Sequence, residues 1–121
     1  METRFAFREL FERQAADIIM PDLARTGGIL EMKKIAAMAD TYYIPVSPHN
    51  MAGPLATIAS AHLCACIPNF MVLEYQLSDV PWRDELLTAP VPIKDGYLEL
   101  FETPGLGIDL NRKALEKYRA E

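Results

Sequence analysis

Three ionisable residues fall at the ends of short apolar runs: Asp22 closes Asp17-Ile-Ile-Met-Pro-Asp22, His49 closes Ile44-Pro-Val-Ser-Pro-His49, and Glu74 closes Phe70-Met-Val-Leu-Glu74. A carboxylate beside an imidazole orients the ring and raises its basicity, and a second carboxylate on the far side can share a proton with a developing oxyanion. The trio therefore suits proton abstraction and return. It can act only if the chain brings the three run ends together.

The spacing supplies the means. Asp22, His49 and Glu74 are separated by nearly equal intervals, and each interval holds one amphipathic helical pattern, the length that a strand plus crossover helix requires. In parallel α/β folds the C-terminal strand ends face one opening, where barrel enzymes keep their chemistry. Neighbouring strands lie about 4.8 Å apart, so Asp22 and His49 are expected within hydrogen-bonding reach. Glu74 is expected to open onto the same cavity, while Asp17, at the opposite strand end, should be structural.

The supporting elements follow in chain order. Residues 5–16 repeat Phe7, Leu10, Phe11 and Ala15 at helical spacing. Gly27 and Gly28 allow a tight turn before a second helical stripe of Ile29, Leu30, Met32, Ile35, Ala36 and Ala39. The second run begins at Tyr43. Gly53-Pro54 opens a third helix through Leu55, Ile58, Ala59, His62, Leu63 and Cys66, which Pro68 ends. His62, mid-helix, is a packing or surface histidine, and Cys64 and Cys66 are small apolar residues, since positions two apart on a helix diverge. Residues 78–88 form a loop with one turn of helix and Trp82 as its large anchor. An extended connector at 89–92, a short strand at 97–100, a turn-rich loop at 104–107 and a last helix at 112–119, capped by Asn111, complete the chain.

Composition excludes several classes. A chain of 121 residues, half of them hydrophobic, can bury one core. A net charge of -5, with no basic cluster, argues against nucleic acid or an anionic membrane as partner. No run approaches the roughly 18 apolar residues of a membrane span, and no targeting segment is visible, so the expected compartment is the cytoplasm.

The motifs Met-Pro-Asp22-Leu-Ala-Arg-Thr-Gly-Gly-Ile, Val-Ser-Pro-His49-Asn and Val-Leu-Glu74-Tyr resemble the mandelate racemase branch of the enolase superfamily. The tail Asp-Gly-Tyr-Leu-Glu-Leu-Phe-Glu-Thr-Pro-Gly-Leu-Gly-Ile-Asp is similar to that branch's closing segment, with Phe101 where the family usually has proline. Pro-His49-Asn, Ile-Pro-Asn-Phe and Val-Pro-Trp82 are most similar to its galactonate dehydratase-type sugar-acid dehydratases. The resemblance implies an α/β fold, the C-terminal portion of a (β/α)7β TIM-like barrel with parallel strands 6 to 8. It implies a partial barrel at 1–88, and a segment at 89–121 that returns to the capping domain.

It further implies Mg2+-dependent dehydration of a galactonate-like sugar acid by α-proton abstraction and β-elimination of water. Asp22 and His49 match the family dyad, Glu74 the eighth-strand acid, and Trp82 a substrate contact. The family's metal carboxylates end earlier strands, so no metal ligand is expected in this chain. A racemase or cycloisomerase is the chemical alternative, and a catalytically inactive truncated remnant that only self-associates is the alternative of another class. The complete enzyme is expected to be a homo-oligomer.

On this view three of eight barrel strands leave two sheet edges and several apolar helix faces without neighbours. The isolated 121 residues should associate in light scattering, bind Mg2+ no better than a generic acidic surface in calorimetry, and dehydrate no sugar acid. A stable monomer that binds one Mg2+ tightly and turns over substrate would contradict the fragment reading.

Overall fold

The structure, a computed structural model, describes residues 1–76 and 80–120. Helices dominate it: α1 (Thr3–Glu12), α2 (Leu23–Thr26), α3 (Gly28–Asp40), α4 (Pro54–Cys64) and α5 (Arg112–Lys117). A 3-10 turn spans Arg83–Leu86. β1 (Ile93–Lys94) and β2 (Tyr97–Leu98) form an antiparallel hairpin, whose Asp95-Gly96 turn has positive φ at both residues. That conformation is what an Asp-Gly pair favours in a two-residue hairpin. The expected strand at 97–100 is thus one arm of a hairpin. The loop expected at 78–88 is described from residue 80 onward, and residues 78 and 79 lie outside the described residues.

The three apolar runs lie side by side in parallel, as their spacing requires. Ile19 pairs with Val46, Asp22 with His49, and Val46 with Phe70, all in the parallel sense. Ser47 N–H donates to Ile19 O at 2.9 Å, His49 N–H to Pro21 O at 3.1 Å, and Met71 N–H to Val46 O at 2.9 Å. The pairing is a set of isolated bridges where full strands were expected. Pro45 and Pro48 have no N–H to give, so the ladder is interrupted along its central segment.

Alternation along these segments sorts the side chains. Ile19, Ile44 and Val46 join Phe7, Phe11, Met32, Ile35, Ala36, Ala39, Ala59, Leu63 and Ile67 in the main core. Ile18 and Met20 turn to the opposite face and are exposed. Phe11, Met32 and Ile35 are fully enclosed, each contributing about 1.5–3 kcal/mol by burial. The surface pairs Arg8–Glu12 and Arg13–Glu9 on α1 contribute only about 0.3–0.5 kcal/mol each. Apolar contact, not charge, therefore seats α1 on α3. At its N-terminus α1 is also tied down by Arg4, whose backbone N–H and guanidinium both reach Glu31 and hold that carboxyl below its ordinary range.

Two helices close on a left-handed residue that is not glycine. α1 stops at Glu12, short of residue 16, because Gln14 takes φ +48°, with Gln14 N–H on Phe11 O and Ala15 N–H on Leu10 O. That is a Schellman closure with glutamine in the left-handed position usually given to glycine. Tyr43 does the same after α3, at φ +59° and 95% exposed. It ends a helix and does not begin a strand. At Gly27 and Gly28, by contrast, positive φ falls on glycine and the α2–α3 turn forms as expected.

α4 is buried on nearly every side. Ala59 and Leu63 face the main core, while Ile58 packs with Leu87 and Val91 in a second cluster joined by Tyr75, Leu98, Phe101, Leu106 and Ile108. His62 Nε2 meets Leu106 O at 3.2 Å, which makes it the packing residue the sequence suggested. Cys64 is buried, and burial pushes its thiol up to about 12, so it remains a small neutral filler. Cys66 differs from expectation: it lies beyond the end of α4 and is exposed. Among the described residues no helix is long and apolar enough to cross a membrane.

Phe101 packs against Gly107, which sits at φ +75° and whose missing Cβ would run into Phe101 Cβ. Gly107→Ala combines a strained φ with overpacking and should cost about 1–3 kcal/mol, read as a lower urea midpoint. An unchanged midpoint would show that the 101–107 turn contributes nothing to stability.

Candidate functional site

The site is built on Asp22. Its Oδ1 accepts from Ala24 N–H at 2.8 Å and Arg25 N–H at 3.2 Å, capping α2, while its backbone oxygen accepts from the Thr26 hydroxyl at 2.8 Å. This leaves Oδ2 directed at His49 Nδ1, 2.8 Å away. An aspartate followed by a short helix is thereby held by its own backbone in the orientation that the imidazole needs. The carboxylate is nine-tenths buried and the His49 side chain about one-third exposed.

On the other side of the ring, Glu74 Oε2 lies 3.9 Å from His49 Nε2 and accepts from the Asn50 backbone N–H at 2.9 Å. Glu74 N–H reaches Pro48 O at 3.3 Å. The three residues singled out in the sequence thus come together, with the imidazole between two carboxylates. A cleft of about 290 Å3 beside the dyad is lined by Ile18, Met20, Pro21, Asp22, Arg25 and His49 together with residues of α1. Glu74 does not line it, so the expectation of one shared cavity narrows to shared contact with His49. Arg25 Nε stands 3.8 Å from Asp22 Oδ2, largely in solvent.

Trp82 is placed elsewhere. Its ring stacks on Tyr118 at 4.8 Å between centroids, and it does not line the cleft. Its neighbour Arg83 is buried, and Arg83 Nη1 donates to Ala52 O at 3.1 Å, tying the loop to the segment just after His49. Spacing alone does not single out Arg83, Asn50 or Thr57. For Asn50 a signal existed, a polar residue directly after His49. Thr57, within an apolar helix, gave only the weak sign of a hydroxyl on a buried face.

The Mg2+ implied by the resemblance can be tested against these donors. Mg2+ requires near-octahedral oxygen ligation. Among the described residues no three His, Cys, Asp or Glu side chains gather as a cation site. Both Asp22 oxygens are already occupied by N–H donors. The residues present do not fit the ion.

Comparison with known proteins gives the family. The family profile described as "Enolase C-terminal domain-like" matches residues 1–114. The D-xylonate dehydratase of Haloferax volcanii is 46% identical over 118 residues, which cover 98% of this chain and 29% of that protein. A D-galactonate dehydratase of Ralstonia pickettii is 35% identical, over 92% of this chain and 31% of its own length. The crystal structure of a mandelate racemase/muconate lactonizing enzyme-like protein from Rubrobacter xylanophilus superposes with a TM-score of 0.92 at 46% identity, covering 99% of this chain and 31% of its own. The chain therefore spans about a third of the length of the relatives it matches.

Because Asp22 both caps α2 and holds His49, Asp22→Ala should cost about 1–2 kcal/mol in urea unfolding. Asp22→Asn should cost clearly less, since the amide oxygen still caps. Equal losses would show that the cap is not what Asp22 contributes.

Proposed function

The chain belongs to the enolase C-terminal domain-like family, and we propose that Asp22, His49 and Glu74 are the proton-handling residues of a sugar-acid dehydratase. The observation that carries this is the 2.8 Å contact between Asp22 and His49 with Glu74 at the opposite ring nitrogen, in a chain similar to enzymes named for D-xylonate and D-galactonate dehydration. In this reading residues 17–22, 44–49 and 70–74 correspond to barrel strands six to eight, and residues 89–121 to the segment that returns to the capping domain.

His49 is the general base. An ionised Asp22 accepts only, so the Nδ1 proton is committed to it and the Nε2 lone pair takes the proton α to the substrate carboxylate. The electron pair of the broken C–H bond moves onto the substrate carboxylate as an enediolate, whose collapse forms the new C=C bond as the β C–O bond breaks. The proton now on His49 Nε2 passes to the departing hydroxide, which leaves as water and returns the ring to its starting state. The resulting enol ketonises to a 2-keto-3-deoxy acid. Glu74, on the Nε2 side, shares a proton with the developing oxyanion. Mg2+, were a complete enzyme to hold it, would supply Lewis-acid stabilisation of the negative charge, and Asp22, His49 and Glu74 would act on protons and not as its ligands.

The substrate is an aldonic acid. A carboxylate-bearing substrate meets two acidic side chains here, so cationic help must be local, and Arg25 is the guanidinium that lines the cleft. Trp82 is not needed as a contact in this reading, since its ring already stacks on Tyr118.

In a complete enzyme carrying these residues, His49→Asn should reduce exchange of the substrate α-proton with D2O by roughly 10²–10⁴-fold, because an amide does not accept a proton near neutral pH. Exchange at the parent rate would remove His49 as the base. Exchange without loss of the β-hydroxyl in the parent would favour racemisation over dehydration.

A further inference from the structure

Asn50 follows His49 directly, and its side chain is almost completely enclosed, 3% exposed. A buried amide in a loop must find partners for two donors and an acceptor. Asn50 finds them all. Nδ2 donates to Glu74 O at 2.9 Å and to Thr57 Oγ1 at 3.0 Å, and the Thr57 hydroxyl, itself buried on α4, donates to Oδ1 at 3.3 Å. The backbone N–H of the same residue donates to Glu74 Oε2 at 2.9 Å.

These bonds span three elements. Beyond the Val46–Phe70 bridge the third segment makes no further parallel bridge to the second, and the backbone bond from Glu74 N–H to Pro48 O is long at 3.3 Å. The Glu74 side chain is itself about one-third exposed. Residue 50 grips Glu74 at its carbonyl with the side chain and at its carboxylate with the backbone, and that carboxylate lies 3.9 Å from His49 Nε2.

We infer that Asn50 is a positioning residue: braced by Thr57, its amide holds the end of the third segment so that the Glu74 carboxylate faces the Nε2 side of His49. Asparagine suits the position because it carries donor and acceptor on one short side chain. Aspartate would turn an acceptor toward the Glu74 carbonyl and set a second carboxylate beside the first. Asn50 does not itself hydrogen-bond the imidazole, so its effect passes through Glu74.

The inference rests on Glu74 acting opposite His49, and it is tested by geometry and not by turnover, so its failure is separable from failure of the dehydratase reading. In the 15N-labelled 121-residue chain at fixed pH, long-range proton–nitrogen correlations report His49 Nε2 directly. Glu74→Gln should displace that resonance in the parent, and the displacement should be lost in an Asn50→Ala background whose remaining amide spectrum is that of the fold. Should Asn50→Ala unfold, Thr57→Val removes the brace at constant volume and should give the same loss, while Thr57→Ser, which keeps the hydroxyl, should restore the parent response. A Glu74→Gln displacement of equal size in the Asn50→Ala or Thr57→Val background would overturn the positioning role. No displacement even in the parent would overturn it too, by removing Glu74 from His49.

Discussion

An ionised carboxylate can only accept a hydrogen bond, so the 2.8 Å contact from Asp22 Oδ2 to His49 Nδ1 places the imidazole proton on Nδ1 and leaves the lone pair on Nε2. Everything around the dyad serves that contact. The α2 N–H groups take the other Asp22 oxygen, the Asp22–His49 bridge sets the two segment ends side by side, and α1 and α3 bury the opposite face of those segments. If the carboxylate turned away, the histidine would keep its place in the chain but not a defined basic nitrogen.

Much of this site was legible in the sequence because it follows from periodicity. Apolar runs of strand length, separated by crossover-length helical patterns, demand parallel neighbours, and a residue type at each run end then says what meets at the opening. Asp22, His49 and Glu74 could be named from that alone. The same logic had no hold on Asn50 and Thr57. Their roles come from a three-way contact between a loop, a helix and a segment end, which no local spacing encodes.

The departures have local physical causes. Gln14 and Tyr43 occupy left-handed helix stops where glycine would announce the end, so periodicity alone predicts a longer α1 and an earlier second segment than the structure has. Proline within the central segment reduced expected strands to bridges. The Asp95-Gly96 hairpin differs from the single strand expected at 97–100 because its arms are only two residues each, too short for an alternating pattern. The Trp82 ring, large and lightly flanked in the sequence, found Tyr118 across the fold, while Arg83 beside it was the residue taken inside.

The central claim is that Asp22 makes Nε2 of His49 the basic nitrogen on the Glu74 side. The most direct measurement is the tautomeric state of His49 in the 15N-labelled chain near neutral pH, read from the two ring-nitrogen shifts. The account predicts that the neutral ring carries its proton on Nδ1, with Nε2 at the position of an unprotonated nitrogen, and that this preference is lost in Asp22→Ala. A neutral ring protonated on Nε2 in the parent chain would contradict it.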